Sequence, residues 1–415
     1  MAYQPIWQRP EGKLNSGASM LGKEEIKEVL AVIQSGSLSR DYGPDSQQAV
    51  LRFEQAFAKK LNAGYALGVT SGTAALKTAL AAAGVGPGHE VIMPCCTFIS
   101  SPGAAISLGA VPVFTEIDES LSMDPNDIEA RITPHTRAIL PVHLYGVPCR
   151  MDEIVEIGKR HKLPVVENGA LSCGTMYRDR YIGTWGDLGI YSLQIVKVLT
   201  AGEGGVLVSA NADLYERAVR YHDQGLYRSA TRMSGFELHH EEFLGENFRI
   251  SEFTGACALK QLEKLDRITG DLRVNYKRYR AGVASISGLE AQPVNDDHGA
   301  LATRWGLRFD KVETCAQFSA ALRTHGLSPG LMYGGKPIYM QPKILNQVMH
   351  VIEANPWTSA MYKGNTRGYH VGMCPCSEEI MQRILLVASV NPLWTEQDVD
   401  ALVDILRNVA RDILG

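Results

Sequence analysis

Short apolar strands alternating with short helices constrain this chain more than any other feature. Tyr65–Val69 reads as a short buried strand and leads into an alanine-rich helix over residues 74–83. Strands follow at residues 91–93, 111–114, 138–142, 164–167, 190–192 and 205–208. Helices over residues 102–108, 124–132 and 151–161 separate the first of them. Apolar strands spaced by helices predict a mostly parallel sheet covered on both faces. Ligands of such sheets sit beyond the carboxyl ends of the strands.

Two helices come first, over residues 23–35 and 46–62, and Gly36 stops the first of them. One long charged helix is expected over residues 262–280, and further helices over 315–325, 378–386 and 395–414. These mix with short apolar strands, so residues 1–265 read as a large α/β domain and 266–415 as a smaller α+β domain. A chain of 415 residues exceeds one ordinary core, and its 45% apolar content suffices for two.

A net charge of −4 and a pI of about 6.3 give no reason to expect nucleic acid or an anionic membrane as partner. No window approaches the roughly 20 apolar residues of a membrane span. Met1-Ala2-Tyr3-Gln4-Pro5 shows no basic-then-apolar signal pattern, so a cytoplasmic protein is expected. The eight cysteines read as free thiols. Cys374-Pro375-Cys376 is too closely spaced for the usual zinc motifs, and no metal site is expected.

Lys197 lies in an unusual setting, flanked by Ile195, Val196, Val198 and Leu199 and followed by Gly202-Glu203-Gly204-Gly205. A lysine at a strand end can snorkel to solvent. Buried, it has a lowered pKa, because desolvation disfavours the charged amine. A neutral amine can attack an aldehyde and form a Schiff base, the chemistry of pyridoxal phosphate. Thr70-Ser71-Gly72-Thr73 joins a strand to a helix start, where free N–H groups and the helix dipole suit a phosphate, although Ser and Thr also simply cap helices. Ser192 is a second candidate for the same phosphate. Phe98, just past the strand at 91–93, can stack on a ring or fill core. His143, at a strand end, can touch substrate or be a satisfied core histidine.

Together, Thr70-Ser71-Gly72-Thr73-Ala74-Ala75-Leu76, Pro94-x-x-Thr97-Phe98, Pro141-Val142-His143-Leu144-Tyr145-Gly146, Ser192-x-Gln194-x-x-Lys197 and Thr200-Ala201-Gly202-Glu203-Gly204-Gly205 resemble the DegT/DnrJ/EryC1/StrS family. Glu246-Asn247-Phe248-Arg249 is similar to that family's Asn-Phe-Arg signature. The resemblance runs from about Leu21 to the C-terminus. It implies a fold-type-I pyridoxal phosphate enzyme, an aminotransferase passing an amino group from L-glutamine or L-glutamate to a keto-sugar or keto-cyclitol. It implies that Lys197 forms the Schiff base and then shuttles the proton. Ser71, Gly72, Thr73 and Ser192 would hold the phosphate, Phe98 would stack on the ring, and Gln194 would sit beside the cofactor. Asn247 would reach the neighbour's phosphate in a homodimer with shared active sites. Arg40, with the segment from Ser35, and Tyr333 and Lys336, in the loop to Tyr339, would border the substrate pocket.

Two positions depart from the family pattern. The family typically has Glu-Asp-x-Ala followed by Gln or His, with the aspartate paired to the pyridine nitrogen. This chain has Glu167-Asn168-Gly169-Ala170-Leu171. Asn168 carries no charge to hold a proton on that nitrogen, and Leu171 removes a polar group near the ring. Slower transamination, a changed pyridoxal phosphate reaction (epimerisation, elimination or carbon–carbon bond chemistry) and a non-catalytic cofactor-binding homodimer all fit this substitution.

Overall fold

The computed structural model describes residues 16–43, 46–228, 238–364 and 368–415. The Met1–Pro5 stretch therefore lies outside the described residues. The N-terminal part contains α1 (Lys23–Ser35), α2 (Ala49–Leu61), β1 (Tyr65–Val69), α3 (Gly72–Ala82), β2 (Glu90–Pro94), α4 (Ser100–Ser107), β3 (Val111–Thr115), α5 (Pro125–Arg131) and β4 (Thr136–Ile139). It continues with α6 (Met151–His161), β5 (Val166–Asn168), the small hairpin β6 (Met176–Tyr177) and β7 (Arg180–Tyr181), β8 (Leu188–Ser192), β9 (Gly205–Ser209), α7 (Ala212–His222) and α8 (Glu252–Glu263). Gly36 ends α1 with φ +69°, the left-handed cap that a side chain resists.

The strands form two ladders, β3-β2-β4 and β5-β8-β9-β1. Isolated parallel bridges Ile139–Val165 and Val142–Asn168 join them across β4 and β5. Pairing is parallel except along β9, which runs against both β1 and β8. Period-two alternation divides the strand side chains between two cores. Leu67, Val69, Val91, Met93, Leu188, Ile190 and Leu207 face the layer containing α3, α4 and α7. Ala66, Ile92, Tyr191, Val206 and Val208 face the layer containing α2, α6 and α8. Fully burying a Leu, Ile or Val contributes about 1.5–3 kcal/mol, so shifting one strand by a residue would forfeit several such terms.

The C-terminal part holds α9 (Leu265–Ala284), β10 (Glu290–Ala291), β11 (Arg304–Arg308), α10 (Val312–Thr324), β12 (Gly330–Leu331), α11 (Pro342–Leu345), α12 (Pro375–Arg383), β13 (Ile384–Ser389) and α13 (Glu396–Leu414). Its four strands form an antiparallel sheet in the order β10-β11-β13-β12. A third core, with Tyr279, Trp305, Phe318 and Leu406, lies against it. The first core also takes in Met332, Tyr339, Cys374 and Met381, so parts of the segments 332–344 and 374–386 pack onto the large sheet as well.

Two expectations need correction. The helix expected over 262–280 is two helices broken at Lys264, whose Nζ is anchored to Met20 O at 2.9 Å and to Glu25 at 2.7 Å. The helix expected over 378–386 ends at Arg383, and Ile384–Ser389 is a central strand of the C-terminal sheet. Its run of apolar side chains is buried on both faces and carries no helical stripe. No helix among the described residues is long and apolar enough to cross a membrane.

Candidate active site

A cavity of about 520 Å³ opens beyond the carboxyl ends of β1, β5 and β8. Its floor begins where β1 turns into α3. Ser71 caps α3, its Oγ accepting the Ala74 N–H at 3.0 Å. A helix start leaves first-turn N–H groups without intrahelical partners, here those of Gly72 and Thr73. Ser192, at the end of β8, is pressed against this turn: a Cβ on Gly72 would lie 2.8 Å from Ser192 Cβ. A Cβ on Gly205 would lie 2.4 Å from Ser71 O. Three chain segments distant in sequence thus meet in a cradle that only glycine backbone allows, lined by hydroxyls and N–H groups. Such a cradle suits a phosphate.

Lys197 stands over the same cavity. It sits in a turn rather than a strand. Lys197 N–H donates to Gln194 O at 2.9 Å, and Gly17 N–H donates to Lys197 O at 3.0 Å. Gln194 also lines the cavity, but its Oε1 is taken by the Val196 N–H at 2.9 Å, which tightens the turn. The apolar setting read from the sequence is half correct. Val198 and Leu199 are buried, whereas Ile195 and Val196 are exposed. Lys197 itself is partly buried, and that burial holds its amine below the usual lysine range, with Glu203 opposing the shift. Chemically, this is an amine biased toward the nucleophilic form beside a turn lined by hydroxyls and N–H groups.

The ring-facing candidates line the same space. Phe98 is 57% exposed, so it is not core filling; its ring borders the cavity. Asn168 is buried at the end of β5. Its Oδ1 accepts the Ala170 N–H and its Nδ2 donates to Ser101 Oγ, each at 3.0 Å. Because a backbone N–H can only donate, the Ala170 contact settles which amide atom is the oxygen. Leu171 adds a partly buried apolar wall. His143 is fully buried and satisfied: Cys149 N–H donates to Nδ1, and Nε2 faces Glu167 Oε2, both at 3.1 Å. Glu167 also accepts the Gly183 and Gly186 N–H groups, so it holds the loop before β8.

Three sequence candidates lie outside this cavity. Arg40 is 5% exposed and clasps Glu54 through both Nη atoms, with Nη2 to Oε2 at 2.6 Å. Glu54 also accepts the Gly68 N–H at 2.7 Å, tying residue 40 to β1 instead of to the cavity. Lys336 is exposed elsewhere, and Tyr339 is buried in the core; of that loop, Tyr333 lines the cavity. Asn247 is exposed, away from its own chain's cavity, on a segment held by the ion pair between Arg249 and Asp223.

Sequence reasoning passed over Tyr145, Thr303 and Arg304, and it gave Glu203 no role of its own; all four line the cavity. Glu203 and Tyr145 lie inside motifs quoted for other residues. Thr303 and Arg304 reach the cavity from the C-terminal sheet, and no local pattern marks them.

A profile described as the DegT/DnrJ/EryC1/StrS aminotransferase family matches residues 19–366. The chain is 38% identical over 399 residues to the spore coat polysaccharide biosynthesis protein SpsC of Bacillus subtilis (strain 168), covering 94% of this chain and 96% of SpsC. Among solved structures, S. venezuelae DesV superposes with a TM-score of 0.77 at 28% identity, over 93% of this chain and 94% of DesV. The crystal structure of 3-amino-5-hydroxybenzoic acid synthase superposes with a TM-score of 0.76 at 25% identity, over 95% of this chain and 97% of that one. With a family match across most of its length and the architecture of fold-type-I aminotransferases, this chain belongs to the DegT/DnrJ/EryC1/StrS aminotransferase family, and it is an enzyme of the aminotransferase class.

Proposed function

We propose that this enzyme uses pyridoxal phosphate to move an amino group from L-glutamine or L-glutamate onto a keto-sugar, often nucleotide-linked, or onto a keto-cyclitol. The observation that carries this reading is the meeting of Lys197 with Ser71, Gly72, Thr73 and Ser192 in one cavity. The polysaccharide-biosynthesis name of SpsC supports the sugar over the cyclitol.

The residues fit the cofactor. Ser71, Gly72, Thr73 and Ser192 would hold its phosphate, and Phe98 would cover one face of its ring. When bound, the cofactor supplies an aldehyde to condense with an amine and a ring that draws electron density from the substrate. Lys197 Nζ, lowered in pKa by burial, would capture that aldehyde. The same Nζ would also be the group placed to accept and return a proton during amino transfer. Leu171 and Val198 would keep water from that path. Asn168 would present Nδ2 to the ring nitrogen as a neutral donor. Asn247 would serve the phosphate of a second subunit in a homodimer. A division of labour near residue 265 belongs to this reading, residues 1–265 holding the cofactor and 266–415 closing over the substrate.

A second reading, a changed reaction on the same cofactor, draws on the uncharged Asn168. One experiment separates the two. The enzyme loaded with pyridoxal phosphate should show an absorbance band near the visible edge that is lost in Lys197→Ala. Adding L-glutamate or L-glutamine should then convert it to the pyridoxamine form. Absence of the band overturns the cofactor assignment, and a band that no amino acid converts overturns amino transfer.

A further inference from the structure

Arg304 is the cation that the cavity leaves without a counter-charge. It begins β11, stands opposite Ser389 of β13, and both residues line the cavity. Among the described residues no carboxylate lies within ion-pair distance of its guanidinium. Arg308, four residues along the same strand, has three: Glu119 and Glu290 at 2.7 Å and Asp310 at 3.1 Å. Arg304 instead lies over the Tyr145 ring, with Cζ 4.5 Å from its centroid.

The surrounding backbone is built to hold that arrangement. Tyr145 and Tyr333 both adopt left-handed φ values, +48° and +49°, which non-glycine residues seldom take. Thr303 N–H donates to Tyr145 O at 2.8 Å and Leu301 N–H to Gly146 O at 2.9 Å, binding the strand approach to the large-sheet loop. Both tyrosines border the cavity, and Arg304 lies near enough to both phenols to oppose the upward pull of burial on their pKa values. Besides Arg304 and the two tyrosines, the titratable side chains lining the cavity among the described residues are Lys197, Glu203 and His143, whose Nε2 already faces Glu167 at 3.1 Å. With Lys197 engaged on the aldehyde, Arg304 remains for a substrate anion.

We propose that Arg304, with the phenols of Tyr145 and Tyr333, is the anion anchor of the substrate site, taking an oxyanion group of a substrate. It rests on the assignment of Lys197 to the cofactor. Two substrates carry such a group: the α-carboxylate of the amino donor and the phosphates of a nucleotide-linked acceptor.

The test is calorimetric titration of the pyridoxal phosphate-loaded enzyme with 2-oxoglutarate and, separately, with uridine diphosphate. Neither reacts with the loaded aldehyde form, so binding is read apart from turnover. Arg304→Gln should weaken one probe by about tenfold or more, the size of a charge-assisted hydrogen bond, while Arg304→Lys retains part of the affinity. Wild-type affinity should fall with added salt, and the Gln variant's should not. Selective loss of 2-oxoglutarate assigns the anchor to the donor carboxylate, and selective loss of the diphosphate assigns it to the acceptor. The proposal is overturned if Arg304→Gln binds both probes as the wild type does, or if the wild type binds neither. Failure of amino transfer with this binding pattern intact would remove the proposed reaction and leave the anchor standing.

Discussion

Asn168 and Ala170 are locked together: the Ala170 N–H donates to Asn168 Oδ1 at 3.0 Å, which leaves Nδ2 to donate to Ser101 Oγ. An aspartate could keep the Ala170 contact and accept from the Ser101 hydroxyl, whose present partner is also Thr97 Oγ1 at 2.7 Å. Asn168→Asp should therefore fold normally and place a charge where the ring nitrogen is expected. We expect the glutamate half-reaction to speed up by about tenfold or more, since stabilised charge in a dry site is worth several kcal/mol. Stopped-flow absorbance measures it. An unchanged rate would mean that residue 168 does not face the ring.

Lys197 and Glu203 set a pH dependence. Burial lowers the Lys197 pKa, so the neutral, nucleophilic amine is populated at lower pH than for a free lysine. Capture of pyridoxal phosphate by the apoenzyme should rise with pH and level off below the ordinary lysine range. Glu203 pulls the other way, stabilising the cation. Glu203→Gln should accordingly move the midpoint to lower pH. A midpoint that moves upward would contradict the assignment.

Gly72→Ala probes the cradle sterically. The new Cβ would meet Ser192 Cβ at 2.8 Å, and overpacking of this kind costs about 1–3 kcal/mol. We expect cofactor affinity to drop about ten- to hundredfold, with Ser192→Ala showing a smaller loss. Equilibrium dialysis with pyridoxal phosphate reads both. Equal affinity in all three proteins would remove the phosphate from this turn.

Arg40→Ala should act on stability. It would leave Glu54 as an unpaired buried carboxylate, a loss of about 3–5 kcal/mol. Replacing both partners by apolar residues of similar volume should recover much of that loss. Denaturant titration measures it. A variant of normal stability with a raised KM would instead return Arg40 to the substrate pocket.

Asn247 and Lys197 can be tested by mixing subunits. Lys197→Ala and Asn247→Ala are each expected to be inactive or weak alone. If Asn247 serves the neighbour, a mixed dimer contains one complete site, and activity reappears on mixing. No recovery would place Asn247 with its own chain's cofactor or outside catalysis.

Much of the scaffold and of the candidate site around Lys197 was legible from local pattern. Strand alternation, the stop at Gly36, the turn at Ser71-Gly72-Thr73 and the Lys197 block each depend on neighbours in sequence, and the large sheet brings these segments to one end. The run at 384–386 shows the limit. An apolar segment buried on both faces carries no period, so in sequence this strand is indistinguishable from the tail of the preceding helix.

The amino-acid sequence alone determined the α/β architecture and singled out Lys197 as the candidate amine, because periodicity and glycine requirements are written locally. Only the tertiary structure decided how far each candidate is from that amine. It withdrew Arg40 into a buried clasp with Glu54, turned the Asn168 amide, and brought Arg304 across from a second sheet. Those outcomes depend on which polar partners the packed elements bring within reach, 14 residues away for Arg40 and 67 for the Asn168 amide and Ser101, and no local periodicity encodes that choice.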